Sequence, residues 1–369
     1  MNIYLINCLI FFKYFLIISI ANKKVANKKN SNKYESYLNY TKCTKYKNNK
    51  IMKDFLKKSQ IEKVNKNETW DIYLPCSYTF LENSLDKLIP TNKNQKIFGI
   101  RGCDNLAAKD RLWNTILKKY GRNKAKQYMP DTYDLNDNYQ MNEFKKNYKI
   151  GKTYLLKKNI QRKEGIKITN NFNTIIKAKN KGFVIVQNYL DDLYLINKRK
   201  INLRMYLLIT CHNNKIKWYI SNLGKCIYTN KDFNKNDLLD YEKHLTSLNL
   251  NTNIYDNNPL TLADLKTHLG SYNYNKLFAN IMLILKKCKN SFNNLICSDL
   301  RFRENLMFQL FGLDFVFTSN FKAYLLEMNK GPQMKFFNKV EKKLKMKVIE
   351  DLFAKVGIGN INNNSFIKI

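Results

Sequence analysis

Two apolar runs joined by a short polar turn constrain the fold of this chain more than any other feature. They lie in LFGLDFVFTSNFKAYLLEMNKGP (Leu310 to Pro332), on either side of the turn FTSN (Phe317 to Asn320). Runs of this kind predict two antiparallel strands. Side chains alternate between the faces of a strand, so Glu327 and Asn329 point to one face and Asp314 comes opposite them. The sequence therefore predicts that three oxygen donors converge.

Oxygen ligands of this type suit a magnesium ion. Mg²⁺ prefers hard oxygen donors and keeps its remaining positions for water and substrate phosphates. The pattern is thus compatible with a nucleotide held by a metal. The alternative is that the three residues face solvent at the strand ends, and these residues taken alone slightly favour that alternative.

Two further segments favour a nucleotide site. In YLLKKNIQRKEGIKI (Tyr154 to Ile168) a strand ends in Lys157, a donor-rich loop follows, and a return strand begins at Gly165, as in a flap over phosphates. In VIVQNYL (Val184 to Leu190) a buried strand becomes polar, where backbone groups could meet a purine edge. Taken singly, each segment reads as a surface lysine or as the end of a core strand.

The other patterns predict a mixed α/β chain. A strand and a helix are expected in Thr69 to Leu88, a strand in KIFGIRG (Lys96 to Gly102), and one helix from a capping Asp104 to a stop at Gly121. HNN between LRMYLLITC and KIKWYISNLG predicts a hairpin. Helical segments are expected at Leu260 to Lys289 and at Phe336 to Val356.

The N-terminal region contains an apolar stretch followed by a polar one. Tyr4 to Asn22 is long enough to cross a membrane but has a lysine at its centre and no basic region in front. We predict that it does not span a membrane, and a membrane anchor is the alternative. Ala21 to Lys66 is rich in Lys, Asn and Ser, which indicates a solvated linker.

Composition sets outer limits on function. The 369 residues suffice for two or three domains. The net charge of +36 favours acidic partners. Because Lys and Asn are also abundant in the linkers, an equally good explanation of this positive charge is a compositional bias of the whole sequence. Eight cysteines without a CxxC pair indicate reduced thiols, and three histidines exclude a His-rich zinc site. A basic nucleic-acid-binding protein is an alternative that charge alone motivates; because no recognition-helix, RNP or KH pattern is present, we expect no specific nucleic acid.

With these motifs the sequence resembles the tubulin-tyrosine ligase family, over roughly Trp70 to Gly357. The resemblance is strongest in VQNYLDDLYLINKRKINLRMYLLIT (Val186 to Thr210), in KHLTSLNLN (Lys243 to Asn251), and in FQLFGLDF with LLEMNKGP. The usual family forms are V-Q-x-Y-I, R-K-F-D-L-R-x-Y, H-L-T-N, F-G-x-D and L-L-E-V-N-x-x-P. The resemblance implies an α/β fold of ATP-grasp architecture, ATP and Mg²⁺ as cofactors, and addition of an amino acid to tubulin.

The resemblance also implies roles for individual residues. The metal ligands would be Asp314, Glu327 and Asn329. Catalytic roles fall to three residues, namely Lys200, Arg204 and His244. The nucleotide would be bound by the following residues: Lys109, Lys157, Gln187, Asn188, Tyr189, Leu190, Lys200, Arg204 and Thr246.

Three departures from the family pattern concern the same pocket. Asn202 stands in place of the aspartate of R-K-F-D-L-R, and Ser247 in place of the last asparagine of H-L-T-N. The chain reads GKCI where the family has G-L-V-R, so Ile227 replaces an arginine that grips the reacting carboxylate. Either a neighbouring cation (Lys225, Lys198 or Arg199) substitutes for it, or the protein binds nucleotide and tubulin without ligation.

We therefore expect an ATP-dependent ligase in the cytoplasm, on microtubules, that adds a free amino acid, glutamate before glycine or tyrosine, to the acidic C-terminal tail of tubulin. The alternative is a non-catalytic tubulin-binding protein of the same fold. The predicted segments are a leader and linker (1–66), an N-terminal α/β domain (67–150), a central domain with flap and adenine strand (151–200), a C-terminal domain with the metal site (201–357) and a tail (358–369).

Overall fold

The computed structural model describes residues 33–36, 49–64, 69–75, 77–160 and 165–369. It confirms the mixed α/β fold class of ATP-grasp type. The strands are β1 Lys33–Ser36, β2 Glu62–Lys63, β3 Ile72–Leu74, β4 Lys96–Phe98, β5 Thr132–Asp134, β6 Tyr154–Lys157, β7 Ile166–Thr169, β8 Ile185–Asn188, β9 Leu195–Ile196, β10 Arg199–His212, β11 Lys215–Tyr228, β12 Leu306–Phe317, β13 Ala323–Asn329 and β14 Phe366–Lys368. The α-helices are α1 Lys50–Lys58, α2 Leu81–Asp86, α3 Cys103–Ala107, α4 Lys109–Tyr120, α5 Arg122–Ala125, α6 Asn138–Asn147, α7 Phe172–Ile176, α8 Leu262–Phe292 and α9 Lys339–Lys355.

Ten of the described strands form one large mixed sheet, in the order β14-β11-β10-β12-β4-β3-β1-β2, with β13 paired to β12 and β9 to β10. The predicted hairpin is β10–β11, and its two turn residues, Asn213 and Asn214, both have positive φ. Asparagine tolerates this left-handed conformation, which a two-residue hairpin turn requires. The 14-residue strands of this hairpin carry the sequence motifs into the middle of the sheet.

Helices cover both faces of the large sheet. The side chains of β10 point alternately to the two faces, and both faces carry apolar side chains that pack against helices. Leu207 packs in the cluster that contains α4 and α8, and Leu208 packs in the cluster that contains α1 and α9. The predicted solvated linker is therefore wrong for residues 50–58. Ile51 and Phe55 of α1 are buried, and the Phe55 ring stacks on Phe353 at 4.5 Å between centroids, because a helical apolar stripe persists within the Lys-rich composition.

A second, antiparallel sheet has the order β5-β8-β6-β7 and encloses its own small core. β6 and β7 form the predicted flap hairpin, whose connecting residues 161–164 lie outside the described residues, so Arg162 and Lys163 are not placed. β5 belongs to this sheet although it lies within the predicted N-terminal domain (67–150), whereas β3 and β4 of the same segment belong to the large sheet. The segment predicted as a separate N-terminal domain thus contributes strands to both sheets.

The predicted single helix from Asp104 to Gly121 is two helices. The chain is extended at Ala108 (φ −76°, ψ 126°), and Asp104 lies in the first turn of α3 and does not cap it. The Lys109 N–H, which starts α4, donates to Asn159 Oδ1 at 2.8 Å, so a contact from the flap replaces helix continuity. Gly121, with φ 75°, ends α4 as predicted.

Two further predictions concern the cysteines and the apolar N-terminal stretch. Cys211 at the end of β10 is paired with Cys297, against the expectation of reduced thiols, whereas the other described cysteines, Cys103, Cys226 and Cys288, are free thiols, as expected. Within the part of the chain that the structure describes, no helix has both the length and the apolar character needed to cross a membrane. The stretch Tyr4 to Asn22 lies outside the described residues.

Candidate active site

The predicted convergence of oxygen donors is present at the β12–β13 pair. Asp314 is opposite Glu327 and Gly312 is opposite Asn329, with a β-bulge immediately after Asp314. The Asn329 amide donates to Glu327 Oε1 at 2.9 Å, which leaves its carbonyl oxygen available to a ligand. The structure therefore brings the three predicted ligands together, and their role in metal binding stays a prediction.

Arg204 reaches this cluster from the neighbouring strand. β10 pairs with β12 so that Arg204 is opposite Asp314, and its guanidinium donates to both carboxylate oxygens, at 2.5 and 3.0 Å. Gly312 makes room for Arg204 and Pro332, since a Cβ atom there would lie 3.3 Å from Arg204 Cδ and 2.8 Å from Pro332 Cβ. Burial raises the pKa of Asp314 to about 6, and Arg204 opposes that shift.

Lys109 faces Glu327 from the start of α4. Its ammonium lies 3.4 Å from Glu327 Oε2 and also donates to the Ile160 carbonyl of the flap at 3.1 Å. Burial disfavours the charged form of Glu327, but Lys109, the Asn329 amide and Lys157 outweigh this and lower its pKa to about 2. Glu327 is thus held as a carboxylate.

Lys157 is a buried cation at the end of β6. Its ammonium donates to Gln187 Oε1 at 2.7 Å, and the Gln187 amide donates in turn to Thr132 Oγ1 at 2.8 Å. Burial lowers the pKa of Lys157 to about 8, against the raising effect of Glu327. Among the described ion pairs none includes Lys157, so its charge faces the cavity without a bound carboxylate.

Lys200 and His244 form a second buried pair. The Lys200 ammonium donates to the His244 carbonyl at 3.1 Å and lies 5.2 Å from the centroid of the Tyr189 ring. Burial, and next the charge of Lys157, lowers the pKa of Lys200 to about 7. The His244 imidazole is fully buried, with Nε2 2.8 Å from the Asp237 carbonyl and Nδ1 3.0 Å from the Tyr189 hydroxyl.

These contacts define the state of His244. A carbonyl only accepts, so Nε2 carries the proton and Nδ1 accepts from Tyr189. Burial lowers the pKa of His244 below its ordinary value, which keeps the ring neutral. Both nitrogens are engaged inside the protein, although His244 lines the cavity. The catalytic role predicted for His244 stays a prediction.

The predicted adenine segment is only partly available to a ligand. The Asn188 N–H donates to the Asp131 carbonyl and the Tyr189 N–H donates to the Thr153 carbonyl. These two N–H groups are therefore used inside the protein, by the four-stranded sheet and its neighbouring loops. Gln187, Asn188, Tyr189 and Leu190 nevertheless all line the cavity, as does Thr246, which forms a β-bridge with Thr229. Their role in binding adenine stays a prediction.

All the site residues predicted from the sequence line one cavity of about 600 Å³. One half is apolar and would accept a flat ring, with Leu155, Ile166, Leu190, Leu193, Leu245, Leu248, Val316 and Leu326. The other half carries four cations against two carboxylates: Lys109, Lys157, Lys200 and Arg204 with Asp314 and Glu327. The cavity therefore suits a ligand with an apolar ring at one end and several negative charges at the other.

The departures from the family pattern also lie at this cavity. Asn202 and Ile227 are opposite each other on β10 and β11, and both line the wall. The enclosed Asn202 Oδ1 has no hydrogen-bond partner among the described residues. Ser247 adopts a left-handed conformation, with φ 60°.

None of the three cations suggested as substitutes for the arginine lines the cavity. Lys198 is exposed, and Arg199 donates to the Thr229 carbonyl at 3.2 Å. Lys225 is opposite Arg204 but binds Glu341 at 2.7 Å.

Glu341 is a buried acid outside the cavity lining that the sequence analysis missed. It lies 2.7 Å from both Lys225 and Lys345 and accepts from the Phe337 N–H at 3.1 Å. Asn338, three residues earlier, caps α9, and this N-x-x-E spacing is a local signal that could have indicated an acid at the helix start.

Comparison with known proteins identifies the family. The sequence profile of the tubulin-tyrosine ligase family matches residues 87–364, which is most of the chain. The chain belongs to the tubulin-tyrosine ligase family. The match includes the strands that carry Lys157, Arg204 and Asp314 and their motifs, so the sequence resemblance is confirmed.

The similar proteins are distant in sequence. "Tubulin glycylase 3D" of Tetrahymena thermophila is 29% identical over 47% of this chain and 17% of its own length. "Probable alpha-tubulin polyglutamylase Ttll1" of the same organism is 24% identical over 64% of this chain and 62% of its own. "Probable tubulin polyglutamylase TTLL9" of Rattus norvegicus is 28% identical over 45% and 37%. The chain thus spans less than two thirds of each of these relatives.

Proposed function

We propose that this protein is an ATP- and Mg²⁺-dependent carboxylate–amine ligase that adds an amino acid to the acidic tail of tubulin. The observation that carries the proposal is the convergence of two carboxylates, one amide and four cations at one end of a partly apolar cavity. ATP combines an apolar ring with a polyphosphate, and its Mg²⁺ complex needs both oxygen ligands and cations.

The residues present fit this cofactor pair. Asp314, Glu327 and the carbonyl oxygen of Asn329 would hold Mg²⁺, which would neutralise charge on the transferring phosphate. Lys157 and Lys200, which the structure leaves without a bound carboxylate among its described residues, would contact the phosphates. Arg204, which pairs with Asp314, would add positive charge beside the phosphates.

The proposed reaction needs no nucleophile from the protein. An oxygen of the acceptor carboxylate forms a bond to the γ-phosphorus while the bond to ADP breaks, which gives an acyl phosphate. The amine of the incoming amino acid then attacks the acyl carbon, phosphate leaves, and the nitrogen loses a proton as the amide forms. In both steps the cations of the cavity stabilise negative charge that is building up, so positioning and electrostatics supply the catalysis.

The choice of tubulin and of glutamate has indirect support. The names of the similar proteins assign tubulin to them as substrate, and both polyglutamylases and a glycylase are among them. The surplus of 36 positive charges complements a glutamate-rich tail. We favour glutamate because its second carboxylate suits a cation-rich pocket, and we place the protein in the cytoplasm, on microtubules.

A non-catalytic tubulin-binding protein is the second candidate, and a specific observation favours it. Ile227 presents an apolar side chain at the cavity wall, and Lys225 is engaged by Glu341. If nothing else grips the acceptor carboxylate, nucleotide and tubulin would bind without ligation.

Labelled amino acids separate the two candidates. Purified protein is incubated with tubulin, Mg-ATP and labelled glutamate, glycine or tyrosine, and the tails are analysed by mass spectrometry. We expect incorporation of glutamate, and its loss in Glu327→Gln, which removes one ligand charge and little packing. Tubulin binding without any incorporation would favour the non-catalytic candidate, and full activity of Glu327→Gln would show that the metal site is assigned wrongly.

A further inference from the structure

The residue after Asn329 is a buried lysine that points away from the cavity. Lys330 is 7% exposed, and its ammonium pairs with the Asp104 carboxylate of α3 and donates to the Thr79 carbonyl at 3.3 Å. It is absent from the cavity lining, whereas Asn329 before it is present. Lys330 therefore ties the end of β13 to the N-terminal part of the chain.

The backbone of Lys330 is fixed as well. Its carbonyl accepts from Gln309 Nε2 at 2.9 Å, and Gln309 Oε1 accepts from the Ile100 N–H at 3.1 Å. Gln309 is fully buried on β12. Lys330 is thus held at both ends of the residue, by an ion pair at its side chain and by a buried amide at its backbone.

The same N-terminal segment also holds the preceding acid. α3 carries Asp104, and Lys109 at the start of α4 lies 3.4 Å from Glu327. Asn329 lies between these two attachments and is bonded to Glu327. A displacement of α3 would therefore move Glu327 and the backbone of Asn329 together.

A metal ion at α3 is the competing interpretation. Glu82, Cys103 and Asp104 have ligand atoms within 4.8 Å of one another. However, Lys330 already pairs with Asp104, and an Arg101 nitrogen lies 4.0 Å from a Glu82 oxygen. Cations thus meet the negative charge of this cluster, and we assign no metal to it.

Burying a lysine is unfavourable in free energy, so its presence needs an explanation. Removing an ammonium ion from water costs several kcal/mol, and an apolar side chain of the same length would commonly be as stable. The neighbouring Gly331 packs directly against the Tyr78 ring, and Gly331 and Pro332 line the cavity. Because Gly331 and Pro332 directly follow Lys330, the position of Lys330 also affects the position of this part of the cavity wall.

We propose that the Lys330–Asp104 ion pair is a positioning device that holds the carboxamide of Asn329 in ligand geometry for the metal–nucleotide complex. This inference rests on the proposed nucleotide site. Lys330 and Asp104 act through Asn329 and contact no reacting atom. Partners that orient a metal ligand commonly change metal affinity by about 10- to 100-fold when they are removed.

The test measures metal binding directly and does not depend on ligation. Mn²⁺ binding is titrated by electron paramagnetic resonance in the presence of a non-hydrolysable ATP analogue. The proteins compared are wild type, Lys330→Met, Asp104→Asn and the double variant. The matched control is Lys347→Met, which breaks the Lys347–Asp351 ion pair on α9 (2.6 Å), away from the cavity. Thermal unfolding is recorded for each.

We expect Lys330→Met and Asp104→Asn each to weaken Mn²⁺ binding about tenfold or more, and the double variant to be no weaker than the worse single variant, as for residues that act as one pair. Lys347→Met should change the melting temperature without changing Mn²⁺ affinity. Wild-type Mn²⁺ affinity in Lys330→Met, or additive effects in the double variant, would overturn the inference and leave the proposed function intact. Absence of Mn²⁺–nucleotide binding in the wild type would instead remove the proposed site itself, and this inference with it.

Discussion

Binding of a nucleoside triphosphate at pH 8 should take up protons, because two lysines of the cavity are partly uncharged at that pH. Burial lowers the pKa of Lys200 to about 7 and that of Lys157 to about 8. Their nearest polar partners are the His244 carbonyl and the Gln187 amide oxygen, which are neutral acceptors. Phosphate oxygens would add negative charge beside both ammonium groups and so favour their protonated forms.

The size of the uptake follows from these values. At pH 8 a lysine with a pKa of about 7 is about nine-tenths uncharged, and one with a pKa of about 8 is about half uncharged. Complete recharging of both would take up about 1 to 1.5 protons per nucleotide bound. At pH 6 both lysines already carry their protons, so the uptake should fall close to zero.

Titration calorimetry in two buffers measures this number. The binding enthalpy of a non-hydrolysable ATP analogue with Mg²⁺ is determined in HEPES and in Tris, whose ionisation enthalpies differ, and the slope gives the protons taken up. Lys200→Met should lose most of the uptake, and Lys347→Met, whose ion pair lies on α9, should keep it. Tight binding by the wild type at pH 8 with the same enthalpy in both buffers would refute the electrostatic description of the cavity.

Three further variants test packing and charge. Lys200→Met should stabilise the nucleotide-free protein by a few kcal/mol below about pH 7, where the folded state must carry a buried charge. This gain should fade as the pH rises from about 7 to about 10.5, the ordinary lysine pKa. Urea unfolding at pH 6 and pH 10 measures the gain, and an equal gain at both pH values would contradict the lowered pKa of Lys200. Glu341→Gln leaves two buried lysines without a carboxylate and should destabilise by about 3–5 kcal/mol in urea unfolding, so a loss below about 1 kcal/mol would mean that the lysines find water. Gly331→Ala places a Cβ atom in the Tyr78 ring and should raise the KM for ATP while costing about 1–3 kcal/mol; an unchanged KM would show that the ring moves freely.

The strands of the candidate site could be predicted because their signals are local. A turn between two apolar runs sets antiparallel pairing, and the two-residue alternation places Asp314, Glu327 and Asn329 at one site. The hairpin at Asn213 and Asn214 is a local signal of the same kind. The structure contains both features with the register that the motifs require.

The N-terminal part was harder to predict because its structure depends on distant contacts. Ile51 and Phe55 form a helical stripe, but only their packing against α9, nearly 300 residues later, stabilises that helix. The break at Ala108 follows from the bond between the Lys109 N–H and Asn159. The apolar stripe is a local signal, but neither long-range contact can be read from the neighbouring residues.

The sequence by itself determined the family, the α/β fold class and the identity of the residues that converge on the cavity, because each of these depends on residue types in short, ordered motifs. Only the tertiary structure decided the state of each group: His244 is closed between two partners, Lys200 is buried without a carboxylate, and Lys330 is joined to Asp104. The physical reason is that pKa, burial and ion pairing depend on which charges and carbonyls lie within a few ångströms, and those neighbours come from segments far apart in the chain.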